Sequence, residues 1–292
     1  MKIFLLLCLF LPSIYGKPQI EVFTCQQPQS TECLFDNVII EDDGIFLPKS
    51  HNDRIITKVT FKSSVVPTLS SVICDQFPNL QVLDVRHSSL RKILEGALDG
   101  CTKLREIYLQ DNWLKELPEN SFHKNSHLEQ IYLNSNNLTE IPLELFKGLR
   151  SLQKIDLCAN RLSRLPAVIF DDLISMESLE LLSNPLLSLE IEEMYVEMPK
   201  LKYTLFDDLD LPCSRAAEVT NFLSQNNIYN SYQGSYSDNH SRSQSEIQRK
   251  RIYVASSAGN YYCINDEQHE REVYIRETLP KILNECGLQK NI

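Results

Sequence analysis

The chain has 292 residues, 42% of them hydrophobic, and carries 29 Lys+Arg against 39 Asp+Glu, a formal charge of −10. That acidic balance excludes phosphate-driven binding to nucleic acid, which needs a basic face, and argues against anionic membrane surfaces. Beyond the first sixteen residues no run of about 18 apolar residues occurs, so no membrane anchor is expected.

Residues 1–16 read as a secretion signal. Lys2 supplies the positive start, residues 3–11 an apolar run too short for a bilayer, and Gly16 a small residue for cleavage. Without them the balance is 28 basic against 39 acidic residues, or −11. Eight cysteines then remain: Cys25, Cys33, Cys74, Cys101, Cys158, Cys213, Cys263 and Cys286. An even number behind a signal reads as disulfides made in an oxidising compartment, and the sequons at Asn137 and Asn239 fit a secreted, extracellular glycoprotein.

Residues 17–55 are expected to form an N-terminal cap. A Cys25–Cys33 bridge would close a short loop, and the apolar stretch after it could pair as an edge strand.

From residue 56 a comb of aliphatic residues returns every 24 residues. It is clearest in LREIYLQDNWL from Leu104, LEQIYLNSNNL from Leu128 and LQKIDLCANRL from Leu152. LQVLDVRHSSL from Leu80, MESLELLSNPL from Met176 and, more loosely, ITKVTFKSSVV from Ile56 share the register. A seventh, degenerate unit starts at Leu201, shifted by one. Position 14 is Leu69, Ile93, Leu117, Ile141, Leu165 and Leu189; position 19 is Cys74, Leu98, Phe122, Phe146, Phe170 and Met194. This is the leucine-rich-repeat consensus over residues 56–211, six to seven units of 24 residues. The fold class is therefore α/β: a leucine-rich-repeat solenoid whose curved parallel β-sheet forms the concave face, with disulfide-bonded caps at both ends. Positions 4 and 6 make each strand apolar on one side, and only stacking neighbours buries that side.

Position 9 carries Asn112, Asn136, Asn160 and Asn184, with Ser88 in the unit that starts at Leu80. The chain leaves the sheet there and must bury backbone groups. An amide with two donors and an acceptor can pair them within and between coils. A ligand-binding asparagine row is the alternative.

Residues 212–266 should form the C-terminal cap. A short helix would bring Ala217, Val219, Phe222 and Leu223 to the core, a polar mobile loop would span residues 226–247 with the Asn239 sequon, and a strand would end at Cys263. Cys213–Cys263 would pin helix to strand. Residues 267–292 have the charge pattern of a helical tail, broken near Thr278 by Pro280. Cys74 and Cys101 fall at positions 19 and 22 of adjacent units, where a bridge would tie two coils; two buried thiols are the alternative.

The repeats from Leu80 to Leu186, the phrases FPNLQVLDV and GCTKLREIYLQDNWL, and the cysteine-flanked end resemble the secreted leucine-rich-repeat proteins of insects, above all the leucine-rich immune proteins of mosquito haemolymph. That resemblance implies a recognition protein of innate immunity. Its partner would be another leucine-rich-repeat chain or a complement-like factor, and chains would pair through disulfides or coiled coils. No sustained heptad run follows the cap. An extracellular adhesion, matrix or developmental protein on the same scaffold is the alternative.

Outward strand positions 3, 5 and 7 nominate a concave binding face: Asp84, Arg86, Glu106, Tyr108, Gln110, Gln130, Tyr132, Asn134 and Asp156. Stacked tyrosines flanked by charges suit a protein partner; an ordinary solvated sheet is the alternative. Cys158, also at position 7, or Cys286 could join another chain, or the two could pair. Nothing reads as catalytic: GxSxG, HExxH, P-loop and glycine-rich dinucleotide motifs are missing. His123 and His127 are four apart but fall on the convex side without a third ligand, so no metal and no cofactor is expected.

Overall fold

Every position-4 residue from Val59 to Leu179 is buried, as are Phe61, Val85, Leu109, Leu133, Leu157 and Leu181 at position 6. The computed structural model describes residues 20–25, 30–40, 45–49, 52–206, 213–230, 252–255 and 261–264. In chain order these hold β1 (Ile20–Thr24), β2 (Glu32–Asp36), β3 (Ile45–Lys49), β4 (Lys58–Lys62), β5 (Thr68–Leu69), α1 (Val72–Gln76), β6 (Val82–Asp84), β7 (Lys92–Ile93), β8 (Glu106–Tyr108), β9 (Gln130–Tyr132), β10 (Lys154–Asp156), β11 (Ser178–Glu180), α2 (Ile191–Glu197), β12 (Tyr203–Leu205), α3 (Cys213–Gln225), β13 (Tyr229–Asn230), β14 (Ile252–Ala255) and β15 (Tyr261–Ile264).

Nine strands build one parallel sheet in the order β13-β12-β11-β10-β9-β8-β6-β4-β2. Stacked about 4.8 Å apart, they make a ribbon roughly 38 Å long. Register advances by one unit per strand, so Glu106, Gln130, Lys154 and Ser178 lie side by side, as do Asp84, Tyr108, Tyr132, Asp156 and Glu180. Ser178 pairs with Tyr203, one residue beyond the 24-residue step, so the shifted last unit is a true coil. Opposite the sheet the chain returns mainly through turns, with α1, α2 and a 3-10 turn at residues 167–170. There Phe122, Phe146 and Phe170 stack inward with no exposure, a spine of position-19 side chains.

The asparagine ladder forms. Asn160 donates to the carbonyls of Leu133 and Leu157 and accepts from the N–H of Leu138. Asn136 and Asn184 repeat that pattern, while Asn112 accepts from Ser88 and Leu90 and donates to Val85 and Leu109. Each amide thus bonds two coils, removing about 1–3 kcal/mol of penalty for every backbone group it pairs.

Both N-terminal bridges are present. Cys25 joins Cys33, and Cys74 joins Cys101 with Cα atoms 4.9 Å apart. A Cβ on Gly100 would meet Cys74 Cβ at 3.1 Å and its carbonyl at 3.3 Å, so the close approach of these coils needs glycine there. The expected edge strand is β2, which begins one residue before Cys33 and stacks Phe35 on Phe61.

At the C-terminal end α3 buries Val219 and Leu223, with Phe222 packed edge-on against Tyr195. The expectation of a loop from residue 226 is corrected at its start. Asn226 and Asn227 make a turn, Asn227 takes a left-handed backbone (φ 56°), and residues 229–230 add the ninth strand. The hairpin β14–β15 is antiparallel, and β15 runs beside α3. The side chains of Cys213 and Cys263, the Asn239 sequon, the leader and the tail with Cys286 lie outside the described residues.

Candidate functional site

Four consecutive strands, β6, β8, β9 and β10, present a single column of side chains on the outward face of the sheet. The rings of Tyr108 and Tyr132 stack with centroids 4.8 Å apart and planes 6° from parallel. The Arg86 guanidinium lies 4.9 Å from the Tyr108 centroid, and the Lys154 ammonium 5.3 Å from that of Tyr132. The column therefore reads Arg86, Tyr108, Tyr132, Lys154: two aromatic faces between two cations, the arrangement that a ring's negative face favours.

Each member is held from below. Arg86 grips Asp84 through Nε (2.9 Å) and Nη2 (2.6 Å), and this hydrogen bonding raises the guanidinium pKa. Tyr108 Oη donates to Glu106 Oε2 and Tyr132 Oη to Gln130 Oε1, both at 2.7 Å. Burial, then the hydrogen bond to Glu106, pushes the Tyr108 phenol well above its ordinary range; burial also raises that of Tyr132. Both phenols stay neutral at physiological pH, with their protons directed to their own strands and oxygen lone pairs left to accept from a visitor. Lys154 Nζ pairs with Glu180 Oε1 at 2.6 Å.

Of the nine residues nominated from the sequence, Arg86, Glu106, Tyr108, Gln130 and Tyr132 are assembled in or directly under this column. Asp84 is corrected: only 3% of it is exposed, so it anchors Arg86 and does not meet a partner. Gln110 and Asn134 flank the column, and Gln110 Oε1 is buried without a hydrogen-bond partner. Asp156 lies beside Lys154, its carboxyl pKa raised by burial, and accepts the N–H of Cys158. Lys154 and Glu180 were missed. The signal was available, since position 3 of one unit is diagonal to position 5 of the unit before it.

Cys158 has no disulfide. Burial foremost, then the negative Asp156, pushes its thiol far above the ordinary range, which leaves it a poor nucleophile. Donor atoms of Asp156, Cys158 and Glu180 fall within 4.8 Å of one another. Lys154 already neutralises Glu180, and the Cys158 N–H occupies an Asp156 oxygen, so the trio has partners without an ion. His123 and His127 are exposed on the convex side, hydrogen-bonded to the carbonyls of Asn120 and Thr102. A shallow, open depression lined by Asn52, Asp53, Arg54, Asp75, Gln76 and Pro78 lies off the sheet and gathers no nucleophile with a base.

A leucine rich repeat family model matches residues 78–138, 103–162 and 126–186 in overlapping windows. A segment of 62 residues, 21% of this chain, is 36% identical to leucine-rich repeat-containing G-protein coupled receptor 5 of Rattus norvegicus, covering 7% of that protein. Among solved structures, the APL1 leucine-rich repeat domain matches 65% of this chain and 48% of its own, with 22% identity and a TM-score of 0.57. The LRIM1/APL1C complex matches 67% of this chain and 35% of its own, with 21% identity and a TM-score of 0.59. The chain thus spans about half or less of the proteins it matches, and at these identities the structural likeness establishes the fold: a leucine-rich-repeat solenoid.

Proposed function

We propose that this is a secreted, non-enzymatic recognition protein of innate immunity that holds a protein partner on the concave face of its sheet. The observation that carries the reading is the Arg86–Tyr108–Tyr132–Lys154 column. It combines large rigid aromatic area with fixed charge, the composition of interface hot spots. Arg86, Tyr108 and Tyr132 are held from their own strands and Lys154 by Glu180 of the next, so little conformational entropy remains to be lost on binding. The partner would present donors to the tyrosine oxygens.

Another leucine-rich-repeat chain or a complement-like factor is the partner class. The first is supported by likeness to a structure described as a complex of two such proteins. Of the two cysteines that would link chains, Cys158 is the poorer candidate because its thiol resists ionisation. Cys286 is the better one.

The test is Tyr108→Ala with Tyr132→Ala. Truncating two central aromatics should weaken binding by about 2 kcal/mol or more, roughly thirty-fold, with secretion and circular dichroism unchanged. Immobilised wild-type protein and the double variant are compared for the species retained from native body fluid, identified by mass spectrometry. Equal retention on both would move the site elsewhere. Arg86 is left in place, because its loss would strand the buried Asp84 carboxylate and cost stability instead.

A further inference from the structure

Trp113 is the chain's single tryptophan and is 53% exposed. It stands at position 10, just after the ladder asparagine Asn112, on the rim where the chain leaves the sheet. One of its faces is taken: the Arg91 guanidinium, from the preceding coil, lies 5.1 Å from the ring centroid. The next coil carries Asn137 at the same position. The Asn137 N–H donates to Leu114 O at 2.8 Å, which fixes Asn137 beside Trp113. Equivalent positions on adjacent coils are about 5 Å apart. Asn137 is only partly exposed, whereas Thr139, the third residue of its sequon, is exposed.

We infer that Asn137 is an N-glycosylation site whose first sugar packs on the free face of Trp113. Attachment joins Asn137 Nδ2 to the anomeric carbon of N-acetylglucosamine. The bond from that carbon to the pyrophosphate of a lipid-linked oligosaccharide breaks, and Nδ2 loses a proton. Leu138, between Asn137 and Thr139, is fully buried and its N–H is held by Asn160, so transfer precedes folding of this coil. Once folded, the sugar ring emerges one coil from the indole. Its C–H bonds meet the electron-rich face that Arg91 leaves open, completing a sandwich of guanidinium, indole and sugar. The glycan then covers an exposed apolar side chain and lies along the rim, leaving the tyrosine column open. The inference rests on the secreted reading above.

Trp113 is its own reporter. The protein is expressed in a secreting cell and recovered from the medium, alongside a Thr139→Ala chain that cannot be glycosylated at Asn137. Intact mass gives occupancy, and acrylamide quenching gives access to the indole. With one face covered, quenching should be about half as efficient in the wild-type protein as in the variant. Endoglycosidase trimming to a single N-acetylglucosamine should preserve the difference. Occupied Asn137 with quenching equal to the variant overturns the packing, and an empty Asn137 in secreted protein overturns the site. Protein retained in the cytosol with its leader attached would instead overturn the secreted reading.

Discussion

Ala159 holds a left-handed backbone (φ 52°) with its methyl group in solvent. It is not alone: Ser63, His87, Asp111, Ser135 and Ser183, the position-8 residues of the other coils, share that conformation, with φ between 48° and 61°. This residue swings the chain off the sheet and delivers the position-9 amide to the ladder. A Cβ in this region costs about 1–2 kcal/mol. Glycine would relieve that cost but lose about 0.4–1 kcal/mol more entropy on folding. Ala159→Gly should therefore stabilise by roughly 0.5 kcal/mol, raising Tm by about 1–2 °C in thermal unfolding. A fall in Tm would show that the left-handed turn is not strained. The periodic amides of the ladder were legible because a buried amide amid leucines demands a reason. The turn was not, because the position-8 residues, Ser, His, Asp and Ala, share neither the glycine nor the asparagine that marks a left-handed turn. Asn125 was missed for a related reason. It replaces the apolar or cysteine residue of position 22, and donates from full burial to Leu98 O and Cys101 O.

The C-terminal cap shows what an element gains from one side chain. Arg215, in the first turn of α3, donates to Leu189 O at 2.7 Å, pairs with both oxygens of Glu192 in α2, and reaches Glu218 at 3.1 Å. The helix is thus strapped across the end of the solenoid. Hydrogen bonding from Arg215 lowers the Glu192 pKa. A depressed folded pKa means the pair stabilises above the unfolded glutamate value and loses that contribution as pH falls through the folded one. Stability should therefore decline on the acid side, below about pH 4.3, and Glu192→Gln should flatten that part of the profile. Both groups are partly exposed, so screening limits the effect to no more than about 1 kcal/mol. Denaturant midpoints between pH 3 and pH 7 would check it; an identical acid limb in the variant would remove Glu192 from the account. At this scale the helix was legible from its apolar spacing. The ninth strand was not, since two residues inside a polar stretch carry no periodicity and are fixed only by pairing with β12. The column likewise showed its tyrosines and Arg86 in the sequence, but adding Lys154 required setting position 3 of one strand diagonally against position 5 of its neighbour.

Across the whole molecule stability is quasi-one-dimensional, because each coil touches chiefly the coils before and after it. Cys74–Cys101 staples two N-terminal coils and closes a loop with a sequence separation of 27. Chain entropy assigns such a loop roughly 3–4 kcal/mol. In a globular core the loss of that bridge would lower protection everywhere. In a stack it should fall mostly on the coils it joins and fade with distance, since β10 and β11 keep their own amide ladder and phenylalanine spine. Replacing both cysteines by alanine should therefore speed hydrogen exchange at Val59 and Leu83 by about a hundred-fold or more, and at Ile155 and Leu179 by less than about ten-fold. The two tyrosines sit between those regions, on β8 and β9, but Arg86 belongs to a stapled coil, so partner affinity should fall modestly as the N-terminal coils fray while the Tyr108–Tyr132 stack survives. Uniform acceleration along the sheet would mean that the coils unfold as one block, and that the binding face depends on the N-terminal cap as closely as on its own strands.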